Sequence, residues 1–240
     1  MRRFFINSRA IDDDEIVLEG SDVHHISRVL RLGPGDRITL IDESATEYDV
    51  EIANFIEDKI SCNVIVARQP PVNRIKVALF QGLPKGTKFD EIIEKATELG
   101  ADSITPVVME RCVARPDAAA GGRVQRWRRI GEAAAKQSRR PTMPRIDAPL
   151  AWNKFVESLA EFDRIVVFWE GAVEPVDQAL ADFTGSNLAV VIGPEGGLTA
   201  AEVVALTDAR ALTAWLGPRI LRTETAPLAA LAIINFLLKR

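Results

Sequence analysis

Cysteine is nearly absent: 240 residues contain two, Cys62 and Cys112. Neither has metal-type spacing, and each sits in or beside a strand-like stretch, which argues for buried reduced thiols over a zinc site or a disulfide. Reduced thiols point to the cytoplasm. Histidine is equally scarce, with His24 and His25 adjacent. Neighbours on a helix point in different directions, so without a third ligand no metal is expected. The opening MRRFFINSRAIDDDE begins with a basic Arg-Arg pair but lacks the apolar core of an export signal. The longest apolar run, residues 226–238, is broken by Asn235 and is shorter than the roughly 20 residues that cross a bilayer. It reads as a buried helix, with no membrane partner. Internal repeats and low-complexity segments are also missing.

What is present is ordinary for a folded globular chain: 47% hydrophobic and 27% charged residues. The length suits a small domain followed by a medium one. The net charge of −4 hides a basic stretch. Residues 111–145 hold ten Lys or Arg against Asp117 and Glu132, a local charge of +8. A patch of that sign lets a mildly acidic protein grip phosphates, and a solvated helix face accounts for it equally well.

Up to about residue 70 the pattern is of short β-like runs, RRFFI, EIVLEG, DRITLID, TEYDVEIANFIE and KISCNVIVARQ, which suggests a small β-barrel. One helix, residues 21–31 with Ser21 as N-cap, interrupts them. QPPVNR, residues 69–74, reads as a linker. Beyond it, apolar strands (IKVALFQG, SITPVVM, RIVVFWEG, LAVVIG, LTAWLG) alternate with amphipathic helices, among them KFDEIIEKATELG closed by Gly100. The class is α/β, with a mostly parallel sheet covered on both faces.

Such sheets bind ligands at the carboxyl ends of their strands. In LAVVIGPEGGLTAAEV, residues 188–203, the glycines at 193, 196 and 197 fit neither GxGxxG nor a Walker loop. Thr199 and Glu202 form a T-x-x-E capping box that occupies N–H groups a phosphate would use. Glu195 repels phosphate and suits a cation, a sugar hydroxyl or proton transfer. Taken alone, the loop reads equally as a tight turn with Glu195 as a cap. In LGPRILRTETAPLAAL, residues 216–231, Gly217-Pro218 bends the chain, Ile220 and Leu221 are apolar, and Arg222 and Glu224 stand beside them. A backbone-rich apolar pocket of this kind sandwiches a flat base; a core role for the two aliphatics and a structural pairing of the two charges is the other reading. Thr223 or Thr225 caps the last helix, with Pro227 in its first turn.

IGPEGGLTAAE and LGPRILRTETA, supported by KATELGADSITPV, RCVAR, EAAAKQSRR with its following proline, and HHISRVLRLGPGD, resemble the RsmE family of ribosomal RNA small-subunit methyltransferases, in the SPOUT class of knotted enzymes that use S-adenosyl-L-methionine. The resemblance spans most of the chain in the expected order. It implies a PUA-like β-barrel for RNA over residues 1–70 and a SPOUT domain over residues 74–240 whose C-terminal part threads a trefoil knot, against the general rule on threading. It implies a homodimer that methylates N3 of one uridine in small-subunit ribosomal RNA, free or in the assembled subunit.

Carried over by motif, the cofactor meets three loops: Glu170 and Gly171; Ile192, Gly193, Pro194, Glu195, Gly196 and Gly197; and Leu216, Gly217, Ile220, Leu221 and Thr223. A sulfonium cation without phosphate suits a glycine-rich loop that carries Glu195. Uridine N3 holds a proton at neutral pH, so a base or a cation is required. Arg222 is assigned to stabilise the anionic base, and Glu195 or Glu224 to accept the proton. RNA contacts are expected from Arg3, His25, Arg28 and Arg31 in the barrel, and from Arg111, Arg115, Arg126, Arg129, Arg139 and Arg140 in the basic stretch. A SPOUT-like enzyme acting on another RNA, such as tRNA, and a non-catalytic RNA-binding assembly factor are the competing readings.

Overall fold

The computed structural model describes residues 2–12, 15–69, 75–114 and 120–240. The chain divides into two units, residues 1–72 with 136–142, and residues 73–135 with 143–240. Most of the expected linker, residues 70–74, lies outside the described residues.

The first unit contains β1 (Arg2–Phe5), a 3-10 turn at Ser8–Ala10, β2 (Ile11–Asp12), β3 (Glu15–Glu19), α1 (Ser21–His24), β4 (Arg37–Ile41), β5 (Glu47–Ile56) and β6 (Lys59–Arg68). One sheet runs in the order β1-β4-β5-β6-β3-β2, parallel between β1 and β4 and antiparallel elsewhere. Period-two alternation aims Ile16 and Leu18 of β3 inward, where they join Phe4, Ile26, Ile38, Leu40, Val50, Ile52, Ile60 and Cys62 in one core. Residues 136–142 group with this unit; Lys136 Nζ lies 3.4 Å from Asp22 Oδ1 and 5.4 Å over the Phe4 ring.

The helix expected over residues 21–31 is different in kind. Ser21 is its first helical residue and α1 lasts one turn, after which His25–Val29 winds as a π-helix. The Leu30 N–H reaches the His25 carbonyl at 2.9 Å, five residues back, and the Ser27 hydroxyl donates to the Val23 carbonyl at 2.8 Å. Arg31, at φ 53°, then ends the turn. A wider turn of this sort leaves no mark in a hydrophobic period, because Val23 and Ile26 still point inward.

The second unit contains β7 (Lys76–Gly82), α2 (Lys88–Glu98), β8 (Ser103–Val108), α3 (Ala120–Gln137), β9 (Arg145–Ile146), β10 (Leu150–Ala151), α4 (Trp152–Ser158), β11 (Arg164–Phe168), α5 (Val176–Leu180), β12 (Asn187–Ile192), α6 (Ala200–Asp208), β13 (Leu212–Ala214) and α7 (Ala226–Leu238). Its strands run β10-β8-β7-β12-β11-β13, with β9 on β8, and every described pair is parallel. From Val77 to Gly82 both faces of β7 are buried, as a sheet covered on both sides requires. On one face Phe80 meets Phe155 of α4 at 4.9 Å between ring centres. On the other, Gln81 meets Thr223, just before α7.

Gly100, at φ 85°, ends α2, and Asn235 of α7 donates its side-chain amide to the Leu99 carbonyl there at 2.6 Å. Asn235, the one polar break in the last apolar run, thus fastens one helix to the end of another. Arg240 holds Asp102 at 2.7 Å and the Gly100 carbonyl at 3.2 Å. No helix among the described residues is long and apolar enough to cross a membrane.

Both cysteines are reduced thiols and buried. Burial pushes the Cys62 thiol up to about 11, so little thiolate exists at pH 8. Alkylation with iodoacetamide at that pH should leave Cys62 unmodified in the folded protein and label it readily in denaturant, read by mass spectrometry.

Candidate active site

The strand order of the second unit sets β12 beside β7 and β11 beside both β12 and β13, so the loops after β11, β12 and β13 open at one end of the sheet. They enclose a cavity of about 520 Å³, within the usual range for small-molecule sites. Its wall includes Phe168 to Glu170, Ile192 to Leu198 and Ala214 to Thr223, together with Lys88 and Ala226.

Two glycine contacts shape the wall. A Cβ on Gly82 would stand 2.4 Å from the Pro194 nitrogen and 2.9 Å from the Gly193 carbonyl carbon, so the end of β7 and the β12 loop meet backbone to backbone. Gly197, at φ 70°, turns the chain where a Cβ would lie 3.1 Å from a Glu170 carboxylate oxygen. The next residues end the loop firmly. Thr199 caps α6, accepting from the Glu202 N–H at 3.2 Å while Glu202 accepts from the Thr199 N–H at 2.9 Å. The expected capping box is therefore present, and Glu202 also accepts from the Glu110 N–H at 2.8 Å.

Lys88, on the first turn of α2, lies between two carboxylates: 3.4 Å from Glu195 and 3.2 Å from Glu224. Glu195 also accepts from the Lys85 N–H at 3.2 Å. The Glu224 carboxyl is held below the usual range, first by its own backbone N–H and then by Lys88 and the nearby Arg222 charge, against burial. The Lys88 ammonium is held above its usual value, chiefly by Glu224. Arg222 is exposed and makes no ion pair within 4.0 Å among the described residues. Next to it, Thr223 is buried, and its hydroxyl donates to the Gly193 carbonyl at 2.9 Å.

Thr223 therefore does not cap α7. Thr225 occupies the N-cap position in helical conformation without a side-chain cap bond, and Pro227 sits in the first turn. Ile220, 89% exposed, is on the rim and not in the core. Gly171 is absent from the wall; a Cβ there would meet the Trp169 ring at 2.4 Å, so this glycine shapes the loop from behind. The remaining residues expected at the cofactor all line the cavity. Sequence reasoning missed Lys88, Phe168, Trp169, Leu198, Ala214, Trp215 and Ala226 on the wall and Gln81 behind it. Only Gln81 leaves a trace in the sequence, as a polar residue closing the apolar run IKVALFQG.

The RNA candidates separate by what they already hold. Arg3 is ion-paired to Glu47 and largely buried. His25, exposed on the π turn, stacks edgewise on Phe4 at 6.1 Å, and Arg28 and Arg31 nearby in sequence are exposed. Arg139, at φ 58°, is exposed, whereas Arg140 is partly buried. On α3, Arg126 pairs with Asp90 and Arg129 is exposed. Arg111 joins the cavity loop: its guanidinium donates to the Gly196 carbonyl at 2.8 Å. Arg115 lies outside the described residues. No cluster of three potential metal-binding side chains occurs among the described residues.

A parallel sheet with an apolar, glycine-walled cavity at its carboxyl end, in a chain with a separate β unit, has matches among known proteins. Residues 71–235 match the RNA methyltransferase domain family, and residues 18–65 match the RNA methyltransferase PUA domain family. The domains are those of an RNA methyltransferase. Ribosomal RNA small subunit methyltransferase E of Bacillus subtilis is 38% identical, across 98% of this chain and 96% of its own. The protein of the same name from Mycobacterium bovis is 33% identical over 99% of this chain and 92% of its own. The crystal structure of Ribosomal RNA small subunit methyltransferase E from Neisseria gonorrhoeae, bound to S-adenosyl methionine, superposes with a TM-score of 0.84 at 29% identity, covering 99% of this chain and 98% of that one. This chain belongs to the ribosomal RNA small subunit methyltransferase E family.

The ion-paired carboxylates give a test. Glu224 has a depressed folded-state pKa, so the stability it contributes is present above its unfolded value and is lost as pH falls through the folded one. Lys88→Met should raise the Glu224 pKa without restoring the ordinary value, because its own N–H stays in place. Side-chain carbon NMR titration of Glu224 in both proteins checks this.

Proposed function

We propose that this protein transfers the methyl group of S-adenosylmethionine to N3 of a specific uridine in small-subunit ribosomal RNA. One observation carries the cofactor half of the reading: backbone and apolar side chains form much of the cavity wall, while the adjoining helix end is closed by its own capping box. The capping box takes N–H groups that a phosphate would use, whereas a flat base has apolar walls and a sulfonium has the Glu170 and Glu195 carboxylates. The ribosomal substrate follows the relatives' names, and position N3 follows the loops' resemblance to the RsmE family.

S-adenosylmethionine supplies an electrophilic methyl group when bound. The backbone of Gly193, Gly196 and Gly197 and the loop of Leu216, Gly217, Leu221 and the rim residue Ile220 would hold it. Arg222, exposed and without an ion-pair partner among the described residues, stabilises the negative charge that appears on the uracil as N3 loses its proton. Glu195 or Glu224 takes that proton; both share Lys88, which makes each a weak base and leaves much of the work to Arg222. RNA is held through His25, Arg28, Arg31, Arg139 and Arg140 in a 1–70 PUA-like barrel and the segment that groups with it, and through Arg126 and Arg129 in the 74–240 SPOUT domain. Arg3, already paired with Glu47, adds to the barrel's positive field. Free ribosomal RNA and the assembled subunit are both within this reading.

A trefoil knot is part of the proposal. Its support is that the loop after β13 runs against Gly193 and the end of β7 before entering α7. A homodimer in the cytoplasm is the expected working form. Val173, Ile220 and Phe236 are 87%, 89% and 83% exposed in a single copy, apolar surface that a second copy would cover. Phe236→Glu should shift the protein toward monomer by light scattering, and an unchanged mass would remove Phe236 from the interface.

Mass mapping of modified nucleosides in ribosomal RNA from cells with and without the protein tests the activity. Loss of one N3-methyluridine is expected; an unchanged ribosomal pool with a changed tRNA would favour the other-RNA reading. In vitro, Arg222→Ala should lower methyl transfer about 100-fold at saturating cofactor while cofactor affinity changes little. Hydrogen exchange with added S-adenosylmethionine should protect residues 169–171, 193–197 and 216–223.

A further inference from the structure

Gln81 belongs to none of the roles above, yet it is fully buried near the carboxyl end of the central strand β7, in register with Ile192 of β12. A primary amide is costly to bury unless it is hydrogen-bonded. Its Nε2 lies 3.0 Å from Thr223 Oγ1, 3.2 Å from the Gly193 carbonyl oxygen and 3.2 Å from its neighbour's, Gly82. Two of these acceptors are carbonyls, so turning the amide over would press Oε1 against two oxygens; the orientation is fixed by chemistry. In that orientation Oε1 is buried without a hydrogen-bond partner among the described residues. An aliphatic residue of similar volume would avoid the unpaired carbonyl, and so the benefit of glutamine here lies in what its N–H groups hold.

They hold two loops together. Gly193 is 112 residues from Gln81 in sequence and Thr223 is 142. Both line the cavity, and Thr223 sits between Arg222 and Glu224. Thr223 closes a triangle by donating to the same Gly193 carbonyl. Gln81 itself does not line the cavity. We infer that Gln81 is a positioning residue, whose buried carboxamide sets the spacing between the β12 and β13 loops and thereby the affinity of the pocket for S-adenosylmethionine. The inference rests on the cofactor occupying this cavity.

Gln81→Leu should raise the KM for S-adenosylmethionine about tenfold, the value of roughly one to two lost hydrogen bonds, with kcat held within about threefold and little change in Tm. Gln81→Glu supplies a signature that simple destabilisation lacks. The neutral acid keeps one donor, and the carboxylate keeps none and faces two carbonyls. Its KM should therefore climb as pH rises through the glutamate's pKa, a climb missing from the wild-type profile. Thr223→Val should match Gln81→Leu, Thr223→Ser should restore the wild-type KM, and the double variant Gln81→Leu/Thr223→Val should lose less than the two singles together. A wild-type KM in Gln81→Leu, with the cavity loops still protected by cofactor in hydrogen exchange, would overturn the role of Gln81 and leave the cofactor site standing. Absence of that protection in the unaltered protein would instead overturn the site. Should Gln81→Leu fail to fold, equal KM values for Thr223→Val and Thr223→Ser would refute the inference.

Discussion

The close approach of two backbones at Gly82 governs the rest of the site. With 2.4 Å between a hypothetical Cβ and the Pro194 nitrogen, only hydrogen fits on that Cα. Because β7 pairs directly with β12, this contact draws the loop after one strand over the end of the other. The chain leaving β7 then passes Glu195 at the Lys85 N–H and enters α2 with Lys88 beside the Glu195 and Glu224 carboxylates. A side chain at position 82 would lift the loop away and unseat each of these partners together.

The charges around the cavity are arranged so that most of them are already committed. Lys88 serves Glu195 and Glu224, and Arg111 serves the Gly196 carbonyl. Committed groups hold their positions before any ligand arrives, which lowers the ordering cost of binding. Arg219 and Arg222, both on the wall, make no ion pair within 4.0 Å among the described residues, and a cation without a fixed partner is suited to charge that exists only transiently.

The glycine loop, its capping box and the bend at Gly217-Pro218 were legible in the sequence because each is a local arrangement of a few adjacent residues. So was the parallel sheet, since strands buried on both faces are apolar throughout. What escaped depended on separation. Lys88 lies more than a hundred residues from both carboxylates it joins, and Gln81 is equally far from Thr223. Thr223 itself reads locally as a helix cap, and burial against Gly193 overrides that reading. Arg111 counts as one of a run of basic residues until folding brings it to Gly196. The π turn escaped for another reason: it preserves the inward face on which periodicity depends.

The capped start of α6 also bears on competition inside a cell. Adenine nucleotides carrying phosphates are abundant and share their base and ribose with S-adenosylmethionine. At many nucleotide sites a helix N-terminus rewards the phosphate and dominates the choice of ligand. Here Thr199 and Glu202 have taken the first of those N–H groups for themselves, and Glu195 stands in the loop ahead of them. A helix start capped in this way rewards a phosphate less than an open one does, which tilts the choice toward a ligand that carries none.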